Sequence, residues 1–372
     1  MLVRTSFTDK ITGLPILAIG CEGRDTAHHY ITAMTWLSDS RNLIVHTDMN
    51  QKEWAGSIVR FDTETSEMQV LEKGLDWGRG VVSCDDILYL FDRNELYAID
   101  AWSGERRIVC VLKEHCFFQG PLSITNDGKM LGVYWIEQHP GILSSDSAYR
   151  GASWVIGTVN TENGEVNEVA RPLFEEPYPI ANHAMINPVD RELMFYCHEG
   201  TTEHIRDRLW TINTRTGETR NIYPQKKDAS GQHVEYVGHE IWAFDGSGLY
   251  FVKYPHSPDQ PSGILFVEKR GMGHEFINGD YRYWHVGVSP DGRYVAADTQ
   301  EPDISKIVLI DMVTKRSTLL CELPCRGVHP GHPHPSFSPD SRKITFTFSD
   351  AHNVLWVGIM DITDCMQLGG DE

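Results

Sequence analysis

The chain has 372 residues, 41% of them hydrophobic, and a formal charge of −19 at pH 7. That charge excludes a nucleic-acid surface, which needs clustered Lys and Arg, and any anionic ligand must be drawn in by a local positive group such as a metal ion or an arginine. No stretch approaches the roughly 20 apolar residues of a membrane span, the first ten residues lack a signal peptide's apolar run, and the eight cysteines contain no CxxC pair; the expected setting is the cytoplasm, with thiols acting as small buried hydrophobes.

In chain order, one turn type recurs before short apolar strands. It appears as Leu37-Ser38-Asp39-Ser40, a degenerate Ser83-Cys84-Asp85-Asp86, Thr125-Asn126-Asp127-Gly128, Asn187-Pro188-Val189-Asp190, Ala243-Phe244-Asp245-Gly246, Ser289-Pro290-Asp291-Gly292 and Ser338-Pro339-Asp340-Ser341. Gly and Asp supply the backbone angles a tight hairpin needs. A second turn falls between these copies, at Asp62-Thr63-Glu64-Thr65, Asp100 to Glu105, Asn160 to Glu165, Asn213 to Glu218 and Asp311-Met312-Val313-Thr314. Each unit is therefore two hairpins, or four strands, over roughly 45–60 residues, which is one propeller blade. Strands such as Leu249 to Val252 and Ile344 to Thr347 alternate or run apolar. No long segment has a 3.6-residue period, so almost no helix is expected. The expectation is an all-β, seven-bladed β-propeller, with residues 1–372 as one domain. A β-sandwich would not repeat both turns in order.

Histidines are numerous, 17 in all, and four are in register. His183, His239, His285 and His334 each stand four residues before their unit's first turn, on four consecutive blades. The strand entering that turn is the innermost of a blade, so these side chains should share one funnel at the channel mouth. The last unit opens Val328-His329-Pro330-Gly331-His332-Pro333-His334-Pro335, where prolines favour an extended chain and His332 and His334 face the same side. Imidazole suits Mn, Fe, Ni, Cu or Zn, and one reading is a metal site built from His285, His329, His332 and His334. The other readings are anion binding without metal and unrelated core or surface histidines. The loop after the second strand of unit four carries His198, His204, Arg206 and Arg208, a source of a planar fork for a carboxylate. Tyr281, Tyr283 and Trp284 precede His285 as either a platform for a sugar face or blade packing. The chain contains no Gly-rich phosphate loop, nucleophile elbow or cysteine-based zinc pattern.

The ordered set His183, Phe195-Tyr196-Cys197-His198-Glu199-Gly200, Asp207-Arg208-Leu209-Trp210, Gly238-His239-Glu240-Ile241-Trp242, His285, Ser289-Pro290-Asp291-Gly292 and His332 to Asp340 resembles the oligogalacturonate lyase family. The resemblance covers about residues 180–345, and the N-terminal half shares only the repeat. It implies a propeller that cleaves short acidic oligosaccharides, oligogalacturonates from pectin, by β-elimination with a bound divalent metal, commonly manganese. Residue by residue, it implies His285, His332 and His334 as metal ligands and His239 as the Brønsted base. It also implies Arg208 as an active-site arginine that holds a carboxylate and keeps His239 neutral. Where the family has Gln as fourth ligand, this chain has His329, which implies either a shift toward nitrogen-loving ions or a different uronate substrate. His183, His198, Arg206 and Tyr283 are the expected sugar contacts. The competing class is a non-catalytic carbohydrate-binding or scaffold propeller, which has no need of four funnel histidines in register.

Overall fold

The structure, a computed structural model, describes residues 2–50, 54–138 and 152–364. These residues form seven antiparallel sheets. Six have four strands each and lie in chain order over 25–76, 80–111, 116–170, 180–221, 237–278 and 283–324; they are blades one to six. Blade seven closes the ring from both ends of the chain. Ser336–Phe337, Lys343–Ser349 and Leu355–Asp361 are joined by Pro15–Cys21 and then Leu2–Thr8, with Leu17, Ala18 and Ile19 pairing Ile359, Gly358 and Val357. Among the described residues only Thr363 and Asp364 are helical, in line with the near absence of helix that the periodicity implies.

All seven first turns connect the innermost strand of a blade to its second strand. The Ser-Pro-Asp-Gly chemistry accounts for their shape. The Ser289 hydroxyl donates to Asp291 Oδ1 at 2.6 Å and accepts the Tyr294 amide at 2.9 Å, locking both ends of the turn. Ser338 repeats this with Asp340 and the Lys343 amide, and Thr125 with Asp127 and the Met130 amide. Gly128, Gly246 and Gly292 take positive φ at the last turn position, where a side chain would be strained. The second turns sit between third and fourth strands. There the leading Asp or Asn accepts two amides with one oxygen, as Asp311 does from Val313 and Thr314 at 2.9 Å each.

Blades pack through their apolar faces. Tyr294, Ala296 and Leu309 of blade six meet Phe337, Ile344 and Phe346 of blade seven, together with Ile16 and Ala18 from the N-terminal strand. At the inner strands the approach is closer still. A Cβ on Gly287 would stand 2.1 Å from the Pro335 carbonyl oxygen, so only glycine lets the His334 segment lie this near blade six.

Candidate metal centre

The inner strands of blades four, five and six each break their pairing register where the in-register histidine falls: between Asn182 and Met185, between Gly238 and Ile241, and between Tyr283 and Val286. His183, His239 and His334 take positive φ, at 50°, 57° and 50°. A bulge re-aims a side chain that regular alternation would leave in the sheet face. The four histidines converge as the register implies. Ring centroids of His239 and His285 are 4.0 Å apart, His285 and His334 4.2 Å, and Tyr30 bridges on to His334 at 4.8 Å and His183 at 5.5 Å.

Within this cluster, His285, His332 and His334 bring one ring nitrogen each within 4.8 Å of one another. His329 lies beside this trio rather than in it, its ring 4.6 Å from His332 and stacked parallel to His334 at 5.1 Å. His285 Nε2, His334 Nε2, His332 Nδ1 and His329 Nδ1 are all buried without a hydrogen-bond partner. Four bare nitrogens in one pocket are costly unless something binds them. Burial, reinforced by the neighbouring rings, pushes His285 and His334 well below the usual histidine range and His329 to about 3, so these rings are neutral donors near pH 7. Neutral imidazoles with inward lone pairs fit a divalent transition ion.

Asp298 holds two of the trio, His285 and the His334 backbone. This fully buried carboxylate accepts His285 Nδ1 at 2.8 Å, the His285 amide at 2.6 Å and the His334 amide at 3.1 Å. With Nδ1 donating, Nε2 of His285 keeps its lone pair for the cluster. Burial pushes the Asp298 carboxyl up to about 7, against the pull of these donors; a cation on the adjacent rings favours its ionised form. His115, Cys116 and Glu137 form a second close group on blade three, but its carboxylate is already engaged by Arg171 and His115.

His239 points its Nδ1 at the Trp284 carbonyl, so Nδ1 donates and Nε2 is the basic nitrogen. Burial, then His285 and Arg208, hold it well below the normal histidine range. Arg208 departs from expectation. Its fork offers no free face to a ligand: Nε donates to Glu240 at 2.6 Å, and Nη1 and Nη2 donate to Glu199 at 3.0 Å each. Arg208 is 4% exposed and Glu240 1%, while Glu199 is half-buried, so a carboxylate–guanidinium–carboxylate clamp with a buried inner arm stands beside His239.

The expected sugar contacts divide. His183 is partly buried at the funnel rim against Tyr30. His198 stacks on Phe174 at 4.0 Å and its Nε2 bonds the Tyr178 carbonyl, so the ring is committed to the blade wall. Arg206 is exposed on its loop, where its charge bears on His233. Tyr283 is fully buried, its hydroxyl on Asn278 at 2.6 Å, and presents no ring face to a ligand. Trp284 and Tyr281 are half-buried, and Trp284 stands edge-on to His239 and tilted on Tyr254. Sequence reasoning missed Tyr30, Asp298 and Trp77, whose indole stacks on His329 and His334 at 5.5 and 5.7 Å.

A seven-bladed propeller with a buried histidine centre at one channel mouth is the class that fold and site define. Comparison with known proteins narrows it. No family model matches the chain. An oligogalacturonide lyase of Pectobacterium atrosepticum is 28% identical over 187 residues, 44% of this chain and 46% of that relative, so the match spans about half the length of the curated relative. Among solved structures, an oligogalacturonate lyase in complex with manganese superposes with a TM-score of 0.82 at 20% identity, covering 98% of each chain. An oligogalacturonate lyase from Vibrio parahaemolyticus gives 0.80 at 19% identity, again over 98% of each. The seven-bladed fold is thus shared end to end, and the resemblance read from the residues is matched by curated relatives of that name.

Proposed function

We propose that the protein is a metal-dependent lyase that cleaves short uronate oligosaccharides, oligogalacturonates first among them, by β-elimination. The observation that carries this reading is the trio His285, His332 and His334, with unpartnered buried nitrogens beside a neutral His239. The trio would hold the ion, with His329 adjacent. Manganese is the favoured metal, since the relative of matching fold was solved with it. When bound, the metal supplies Lewis acidity, neutralising a uronate carboxylate so that the carbon beside it gives up its proton more readily.

The chain's own residues do the rest. Asp298 fixes His285 and the His334 backbone, so the donor set is held in place before substrate arrives. His239, oriented by the Trp284 carbonyl, takes the proton at Nε2. Arg208 acts through its charge, holding His239 neutral, while Glu199 and Glu240 fix its position. The 4-O leaving group then departs, giving an unsaturated product without attack by water. A cytoplasmic setting accords with the free thiols of Cys84, Cys110, Cys116, Cys197, Cys321 and Cys325. No helix among the described residues is long and apolar enough to cross a membrane.

The test is direct. Protein loaded with Mn²⁺ is incubated with digalacturonate and longer oligomers, and the ultraviolet absorbance of the unsaturated product is followed. Product formation that disappears with chelator supports the proposal. Absence of product with every uronate oligomer overturns it, and oligomer binding without turnover would make the chain a carbohydrate-binding propeller.

A further inference from the structure

A cavity opens from the histidine centre. Its near end is formed by His183, His329, Tyr30 and Trp77, all part of or against the cluster, and it runs outward between blades two and three. Its far end is lined by Phe117 and two arginines, Arg79 and Arg93. The two arginines differ. Arg79 is neutralised by Asp76 and by Asp92, the latter at 2.8 Å. Among the described residues Arg93 has no carboxylate partner; its guanidinium lies over the Phe117 ring, 5.6 Å from the centroid, and the residue is exposed. The cavity thus pairs aromatic walls, suited to the apolar face of a pyranose ring, with one free planar fork suited to a carboxylate.

We propose that this cavity is an additional subsite for a uronate ring beyond the two that flank the cleaved bond, with the ring's carboxylate on Arg93 and its face against Trp77 and Phe117. The inference rests on the lyase reading for its substrate class. A dimer fills only the two positions at the histidine centre, and a trimer or longer oligomer extends into the cavity. Arg93 then sets chain-length preference through binding, without touching the reacting atoms.

The test compares wild-type protein with Arg93→Gln, a substitution on an exposed residue outside the core, using di-, tri- and tetragalacturonate with Mn²⁺. A charge-assisted bidentate contact at a partly exposed site corresponds to about a tenfold change in binding. The expected result is KM for trimer and tetramer raised about tenfold, with kcat and the dimer's KM unchanged and metal content equal to wild type. Equal effects on dimer and trimer, or none on either, overturn the subsite. Calorimetric binding of trigalacturonate separates this outcome from failure of the lyase reading. If wild-type protein turns over no oligomer yet binds the trimer in a salt-sensitive manner that Arg93→Gln abolishes, the subsite stands and the lyase reading falls. If the trimer binds both proteins alike, the subsite falls whatever the activity.

Discussion

Replacing Asp298 with alanine removes the one group that holds two of the three trio histidines. The side chain is fully buried and accepts from the His285 amide, His285 Nδ1 and the His334 amide at 2.6, 2.8 and 3.1 Å. Three donors would be left without an acceptor, and at roughly 1–3 kcal/mol for each buried unsatisfied group, with partial relief by a water, the cost is about 3–6 kcal/mol. Unfolding entropy for a chain of this length is about 0.8 kcal/mol per kelvin, so Tm should fall by about 4–8 °C for metal-free protein. With the orienting partner gone, His285 can rotate and either ring nitrogen can carry the proton, and Mn²⁺ affinity should fall about 10–100-fold. Asp298→Asn keeps the volume and one acceptor oxygen; it should recover part of the Tm but little of the affinity, because its NH₂ opposes the same donors. Scanning calorimetry and Mn²⁺ titration followed by elemental analysis measure both quantities. If Asp298→Ala binds Mn²⁺ as tightly as wild type, His285 is not held for a metal by this carboxylate, and the donor set derived above is wrong.

Further outcomes follow from the same geometry. His239→Ala should lower kcat by about 10²–10⁴-fold with full metal content, whereas His285→Ala should lose metal and activity together; wild-type turnover in His239→Ala would move the base to another funnel residue. Glu240→Gln, which breaks one arm of the Arg208 clamp, should destabilise the fold by about 3–5 kcal/mol in denaturant titrations, and an unchanged midpoint would show the clamp to be energetically idle. Burial opposes ionisation of Glu199, yet Arg208 draws its carboxyl down from 4.5 to about 2. Being depressed in the fold, it contributes stability above pH 4.5 that is lost as pH falls through about 2. Glu199→Gln should therefore flatten the acid limb of the stability curve, and an unchanged limb would refute the pairing. Tyr283→Phe should leave KM for every oligomer unchanged while lowering stability by about 1 kcal/mol through loss of the bond to Asn278; a raised KM would restore Tyr283 to the substrate site.

The repeat was legible because each turn needs its own side chains: an Asp or Asn that closes the hairpin and a Ser or Thr that caps it cannot be varied freely without losing those bonds. Histidine register was legible for the same reason, since distance from a fixed turn sets position along an inner strand. Direction was harder. Period-two alternation puts Tyr283 on the same side as His285, but the pairing slips between Tyr283 and Val286, so Tyr283 turns into the core while Trp284 meets His239. His332 and His334 each bring a ring nitrogen to the same close group, yet His334 takes φ 50° outside any strand, so their convergence does not come from strand alternation. Blades one and two contributed nothing readable, since the positions matching the histidines there hold Ala33 and Arg79, and the side chains that reach the cluster, Tyr30 and Trp77, come from segments between regular strands. Asp298 did leave a signal: a lone carboxylate in the otherwise apolar run Tyr294 to Ala297, on a strand buried throughout, has to be satisfied by something inside. The bulges and the buried carboxylate belong to one device. The bulges turn the rings toward the channel mouth, and a carboxylate that no regular core would hold fixes which nitrogen they present. A sequence reading that tracked irregularity in the inner strands, as well as periodicity, would have found both.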